Sequence, residues 1–235
     1  MNERYARQLI LPEIGTVGQN KLLKASVLVI GAGGLGSPAL QYLAAAGVGK
    51  IGVMDGDTVS LSNLNRQILY SKDDIGKPKA LCAAGLLKKI NGEIEIIAYP
   101  ELLTNENAQT IIKNYDMVAL CTDSVDARKI TNYACVKTNT PYVDGAVSGF
   151  SGTLLTVIPG QTACYECIYG SAIQPEGPTP ILGAMAGWVG CAEALAVTQL
   201  ILGVATKGII LFFDGIKMAT EEIEVAKDPN CKVCG

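Results

Sequence analysis

"SVLVIGAGGLGSPALQYLAAAGVG", from Ser26 to Gly49, is the stretch whose reading decides the fold. Val27 to Ile30 is an apolar run of strand length, Gly31, Gly33 and Gly36 follow in the spacing GxGxxG, and a helical pattern continues to Gly47. Strand, turn and helix in that order make a phosphate-binding turn. Glycine lets the backbone turn sharply and lets a phosphate reach amides that a Cβ would shield, while the helix N-terminus adds unpaired N–H groups and partial positive charge. Pro38 falls in the first helical turn, where its missing N–H does no harm.

Outward from this turn, apolar runs alternate with helical patterns: Ile51 to Met54, Ile94 to Ala98, Met117 to Cys121, then Tyr142 to Val143. Such alternation predicts a mostly parallel sheet with helices on both faces. Beyond Asp144 the pattern changes. "GTLLTVIP" (Gly152 to Pro159), "GIILFFDG" (Gly208 to Gly215) and "TEEIEVAKD" (Thr220 to Asp228) read as antiparallel strands that extend the same sheet. The expectation is a single α/β domain over 1–235, with a nucleotide-binding half to about 144 and a sheet extension over about 145–235. "GSAIQPEGPTPILG" (Gly170 to Gly183) reads as a loop at the mouth of a site.

With 49% hydrophobic residues, 17% charged residues and a formal charge of −3, the 235-residue chain can bury a substantial core. The slightly acidic balance, without long basic runs, argues against nucleic acid or an anionic membrane as the main partner. The N-terminus lacks the apolar core of a signal peptide, so the expected compartment is cytoplasmic. Ile181 to Val204 is apolar for long enough to raise a membrane span, but Glu193 sits in its middle, followed by Thr198 and Gln199. Its small residues Gly183, Ala184, Ala186, Gly187 and Gly190 suit close packing, so a buried helix is expected.

Eight cysteines in a cytoplasmic chain are not expected to be disulfide staples. "CYEC" (Cys164, Cys167) and "CKVC" (Cys231, Cys234) are two CxxC knuckles that together make a closed tetrahedral thiolate set for structural zinc. Cys82, Cys121, Cys135 and Cys191 sit in apolar contexts and read as small core residues.

GxGxxG alone does not choose the nucleotide. Asp55, at the end of "KIGVMD", is placed to accept hydrogen bonds from ribose hydroxyls, which suits NAD as well as ATP. The next connection supplies Asn63, Arg66, Gln67 and Lys79, and "RYAR" adds Arg4 and Arg7. Attack at a triphosphate calls for such cations and a hydride transfer does not, so the cluster favours ATP, unless Asp73 and Asp74 neutralise it as a solvated ionic surface. The chain contains no histidine to serve a dehydrogenase as proton donor. Asp123, in "CTDSVDAR", lies just past the C-terminal end of a strand, where a carboxylate can hold Mg²⁺ on phosphates. Asp126 is placed to cap or pair within the following helix.

"RYARQ", "GAGGLGS", "DGDTVSLSNLNRQ", "GKPKA", "CTDSVDAR", "CYEC" and "DPNCKVCG" resemble, in order and spacing, the ThiF/MoeB/HesA group of ubiquitin-activating-like adenylyltransferases. The resemblance covers nearly the whole chain. It implies a Rossmann-like sheet extended by antiparallel strands, with a four-cysteine zinc knuckle. It also implies an enzyme that converts a carboxylate, usually the C-terminal glycine of a ubiquitin-like sulfur carrier, into an acyl adenylate with ATP and Mg²⁺. By the same resemblance Gly31, Gly33 and Gly34 lie in the phosphate turn and Asp55 binds ribose. Asn63, Arg66, Gln67 and Lys79 hold the nucleotide, Asp123 binds magnesium, and Arg7 reaches across a homodimer into the neighbour's site. Many members carry a cysteine in the crossover loop, and Gly170 to Gly183 has none. A related branch, the HcgE-type proteins, adenylates a small carboxylate, the pyridinol precursor of the [Fe]-hydrogenase cofactor, and the missing cysteine suits that branch too.

Overall fold

The structure is a computed structural model that describes residues 3–170, 172–173, 177, 179–204 and 208–235. Its elements in chain order are α1 (Ala6–Leu9), α2 (Gly15–Lys24), β1 (Ser26–Ile30), α3 (Gly36–Ala46), β2 (Lys50–Met54), α4 (Lys79–Ile90), β3 (Glu95–Tyr99), α5 (Ala108–Ile112) and β4 (Met117–Leu120). There follow α6 (Val125–Thr138), β5 (Tyr142–Ser148), β6 (Ser151–Val157), α7 (Tyr165–Tyr169), α8 (Gly183–Leu202), β7 (Ile209–Asp214) and β8 (Ala219–Glu224). The strands form one eight-stranded sheet in the order β3-β2-β1-β4-β5-β6-β7-β8. Pairing is parallel from β3 through β5 and antiparallel from β5 through β8. Both halves expected from the sequence therefore belong to one sheet.

Alternate residues of the central strands feed two cores. Val27, Val29, Ile51, Val53 and Ala119 pack with α3, α4 and α8, whereas Leu28, Ile30, Val118 and Leu120 pack with α5 and α6 on the other face. Period-two alternation with both faces apolar is what a sheet covered by helices requires. The start of α3 follows the glycine turn directly, and Gly47, at φ +86°, ends that helix in the left-handed conformation that glycine adopts without penalty.

α8 is long and apolar enough by length and composition to cross a membrane. Here it packs against α3, β5 and β6, with Glu193 fully buried. Close packing accounts for part of its glycine content. A Cβ at Gly190 would strike the Leu35 carbonyl, whereas Gly187 has open space around it.

Several strand boundaries differ from the sequence expectation: β8 ends at Glu224 short of Asp228, and β6 and β4 stop at Val157 and Leu120. β3 runs one residue later, and β5 continues from Tyr142 through Ser148, well past Val143. Gly145 to Ser148 carry too little apolar bulk to read as strand, yet they pair with β6 residue for residue up to the turn at Gly149. Their side chains are small where the strand borders an open cleft.

Candidate active site

The chain runs from β1 outward to β3 on one side and resumes at β4 on the other, so the strand order reverses between β1 and β4. Open α/β sheets bind ligands outside the carboxyl ends of strands at that reversal. A cleft of about 1050 Å³ lies there, lined by the glycine turn, the connection after β2, the loop after β4, and strands β5 and β6.

The glycines of the turn have different reasons to be glycine. Gly31 has φ +95°, and a Cβ on it would lie 2.5 Å from the Cys121 carbonyl oxygen, while one on Gly36 would collide with the Gly31 carbonyl. These two close the turn against β4. At Gly33 the nearest atom to an added Cβ is Gln67 Nε2 at 3.5 Å, so the protein itself leaves room there. The space faces the cleft, as a cradle for a ligand phosphate would.

Asp55 braces the turn: Oδ2 accepts from Ala32 N–H at 2.8 Å and Oδ1 from Asp57 N–H at 2.9 Å. Burial raises its pKa above the ordinary carboxylate value, opposed by those two backbone donors and by Lys79. Tyr70 supports the turn from behind, its hydroxyl donating to the Ala32 carbonyl at 2.8 Å. Asn63 Oδ1 accepts from Ser60 N–H, which folds the connection after β2 back over the cleft. Arg66 donates to the Ser62 carbonyl and to Asn65 Oδ1, both at 3.0 Å, and has no carboxylate at ion-pair distance among the described residues. Gln67 is 5% exposed and its Oε1 has no hydrogen-bond partner, an acceptor in the cleft wall that a bound ligand can satisfy. Lys79 is buried, with its ammonium 2.9 Å from Asp57 Oδ2.

The neutralising partners suggested by the sequence are not the ones found. Asp74 instead caps Ser71 and pairs with Lys77 at 3.6 Å, and the carboxylate on Lys79 is Asp57. Asp123 and Asp126 are exposed carboxylates in the cleft wall. Capping of α6 falls to Ser124, whose Oγ accepts from Ala127 N–H at 3.2 Å, not to Asp126. Asn63, Arg66, Gln67, Lys79, Asp55, Asp123 and the glycines Gly31, Gly33 and Gly34 thus share one cleft. Arg7 does not line it: this residue is exposed on α1, and Arg4 donates to the Ile90 carbonyl. Most of the loop expected at the cleft mouth is described. Gly177, Thr179, Pro180 and Ile181 line the cleft, while Ser171, Gln174, Pro175, Glu176 and Pro178 lie outside the described residues.

Sequence reasoning missed a buried polar cluster in the cleft wall, where Cys121, Arg128, Asp144 and Gly145 line the cleft and Glu193 lies behind them. Arg128 pairs with Asp144, and Glu193 accepts from Gly145 N–H at 3.0 Å and from the Cys121 thiol at 3.3 Å. Burial pushes the Glu193 carboxyl up to about 8, against help from the Cys121 and Gly145 hydrogen bonds and from Arg128. Folding therefore keeps a proton that the unfolded chain releases near its ordinary value of 4.5, so stability falls as pH rises from 4.5 toward 8. Between pH 6 and 8 this amounts to ~1.4 kcal/mol per pH unit at most. Urea unfolding of wild type is expected to show the decline and Glu193→Gln to flatten it. Equal slopes for the two proteins would show that Glu193 is not the titrating group.

Cys164, Cys167, Cys231 and Cys234 come together, with all four sulfurs within 4.8 Å of one another. Neighbouring sulfurs are 3.8, 3.7 and 3.4 Å apart. Four thiolates about 2.3 Å from a tetrahedral zinc lie roughly 3.8 Å from each other, so donor set and spacing both fit that metal.

A cleft at the switch point of this mixed sheet, with the glycine turn on one wall and two cationic side chains on another, is the kind of site at which open α/β sheets take up phosphate-bearing ligands. A model of the ThiF family matches residues 5–233, and the chain belongs to that family. It is 40% identical over 247 residues to a sulfur carrier protein adenylyltransferase of Thermus thermophilus, covering 99% of this chain and 90% of the relative. It is 41% identical over 240 residues to the adenylyltransferase and sulfurtransferase MOCS3 of Mus musculus, covering 99% of this chain and 52% of that protein. The chain thus spans about half the length of its MOCS3 relative. Among solved structures, E. coli MccB with ATP superposes with a TM-score of 0.88 at 25% identity, over 100% of this chain and 75% of that one.

Proposed function

We propose that the protein uses ATP and Mg²⁺ to adenylate a carboxylate, the C-terminal glycine of a ubiquitin-like sulfur carrier. The observation that carries this reading is that Arg66, Lys79, Gln67 and Asp123 line one cleft with Gly33, where an added Cβ would meet nothing nearer than Gln67 Nε2 at 3.5 Å. The nature of the acceptor rests on the relatives that the chain spans almost end to end. In the reaction, a carboxylate oxygen attacks the α-phosphorus, the bond from that phosphorus to the bridging oxygen breaks, and pyrophosphate leaves. No enzymic base is needed, because the carboxylate is already ionised at neutral pH. The chain's contribution is placement and charge. Asp55 takes the ribose hydroxyls, and Arg66 and Lys79 neutralise the phosphates, Lys79 exchanging Asp57 for phosphate oxygen. Asp123 offers the hard oxygen donor that Mg²⁺ prefers. That ion, when bound, neutralises charge on the phosphates.

The acyl adenylate is passed to a separate sulfur donor. Of the chain's cysteines only Cys121 lines the cleft. Its thiol is buried against Glu193, and burial holds its pKa well above the ordinary thiol value. The four knuckle cysteines form a closed set that leaves no coordination position for catalysis. Pyrophosphate exchange into ATP tests the reading: exchange is expected with Gly-Gly-ending carriers, and exchange only with small carboxylates would favour the other branch.

Arg7 completes the site of a second copy in a homodimer, since it does not line the cleft of its own chain. Mixing Arg7→Ala with Asp123→Ala chains, each inactive alone, is expected to restore about one quarter of wild-type activity after random exchange in a twofold dimer. No recovery after proven subunit exchange would mean that Arg7 works within its own chain or not at all.

A further inference from the structure

Between the end of β4 and Asp123 lie only Cys121 and Thr122. This strip sets the distance from Asp123 to the glycine turn, because Gly31 packs on the Cys121 carbonyl and Gly36 lies against the Cys121 side chain. Two buried side chains hold the strip from opposite faces of the sheet. From α8, Glu193 accepts from the Cys121 thiol and from Gly145 N–H. From α6, Arg128 donates through Nη2 to the Thr122 carbonyl at 2.5 Å and to the Gly145 carbonyl at 2.8 Å, and pairs through Nη1 with Asp144. The loop that carries Asp123 is thereby tied to β5 twice.

Burying this cluster is costly, and an apolar core would hold the same elements together at least as well. Three of the contacts end on main-chain atoms of Thr122 and Gly145, which apolar side chains cannot grip directionally. Glu193 does not line the cleft, whereas Arg128 does, with its Nη1 and Nη2 already engaged by Asp144, Thr122 and Gly145. We propose that Arg128 and Glu193 are positioning residues that fix Asp123 against the glycine turn, acting through the Cys121 thiol and the main chain at Thr122 and Gly145. The inference rests on Asp123 being the residue that holds magnesium.

The test is calorimetric titration of ATP at graded magnesium concentrations. Arg128 is replaced together with its partner, as Arg128→Gln with Asp144→Asn, so that no lone charge stays buried. Arg128→Lys is the second variant, keeping the charge beside Asp144 but losing the planar fork whose two nitrogens reach the three acceptors. Each of these, and Glu193→Leu, is expected to raise the magnesium concentration at half-effect by about tenfold, the size seen when outer-shell partners of a metal ligand are lost. ATP affinity without magnesium is expected to stay within about threefold of wild type, because phosphate and ribose contacts remain. Glu193→Gln keeps the acceptor for Gly145 N–H and sets an amide donor against the Cys121 sulfur, as the acid form that burial favours at neutral pH can, and is expected to retain the wild-type midpoint. In an Asp123→Ala background the shifts should vanish. Reversible partial unfolding weakens ATP binding with and without magnesium alike, so it does not mimic a loss confined to magnesium. Unmoved midpoints in folded variants, or equal losses with and without magnesium, would overturn the positioning role alone. A wild-type protein indifferent both to magnesium and to Asp123→Ala would overturn the reading of Asp123 and the inference with it.

Discussion

Cys231→Ser is expected to lose one zinc per chain and to melt well below wild type, by an amount corresponding to several kcal/mol. Structural zinc sites in isolated finger peptides are worth on the order of 10 kcal/mol, and a domain with its own core keeps only part of that dependence. The site joins the start of α7, with Cys164 just before the helix and Cys167 within it, to the tail beyond β8, which carries Cys231 and Cys234. Backbone hydrogen bonds in the last turns are local, Cys231 N–H to the Asp228 carbonyl and Gly235 N–H to the Cys231 carbonyl. A metal on the four thiols would therefore anchor that end over long range, beside the packing of Cys231 and Val233 on the core. Damage should spread toward the cleft, because Tyr165 and Tyr169 on α7 line it and Tyr165 N–H is held by Asn132 and Tyr142. Metal analysis of protein purified without chelator checks the first half of this result and thermal melting the second. Absence of zinc from the wild type, or an unchanged melt for Cys231→Ser, would show that the four thiols are only neighbours.

How far these features were legible from the chain depends on whether their cause is local. The turn at Gly31 to Gly36 is punctuated by residues whose backbone chemistry is the signal, and α8 is long and uniformly apolar, so both could be read directly. The knuckle cysteines carry fixed short spacings, and only their meeting in space required the fold. The Arg128–Asp144 pair gave no such sign. The two residues stand 16 apart in runs of ordinary surface appearance, "DAR" and "VDG", and tertiary packing alone buries them. Glu193 was visible as an anomaly in an apolar helix, but its partners, Gly145 and Cys121, come from two other elements. The end of β5 was illegible for the opposite reason. Gly145 to Ser148 give up strand-forming bulk to border the cleft, and a functional demand there overrides local propensity.

Asp123→Ala and Lys79→Ala are each expected to lower carrier-dependent pyrophosphate exchange by about 10² to 10³, the loss typical of removing one charge-stabilising group from a transition state. The two should differ in character. Lys79 is 2.9 Å from Asp57, so its removal leaves that carboxylate beside the phosphates as an uncompensated negative charge, and ATP affinity should fall along with the rate. Lys79→Ala with Asp57→Asn should regain part of the affinity but not the rate, separating ground-state repulsion from transition-state stabilisation. By contrast, replacing Cys82, Cys135 and Cys191 together should leave exchange at wild-type level, since none of the three lines the cleft. Cys121 is tested without altering it. The intact mass of the enzyme after incubation with ATP, magnesium and carrier should be unchanged, because a buried thiol held against Glu193 is a poor nucleophile toward the adenylate. An acyl adduct on the enzyme would show that the carrier is captured covalently before it leaves. Exchange that survives in both Asp123→Ala and Lys79→Ala would show that the cleft at the β1–β4 switch point is not where the chemistry occurs.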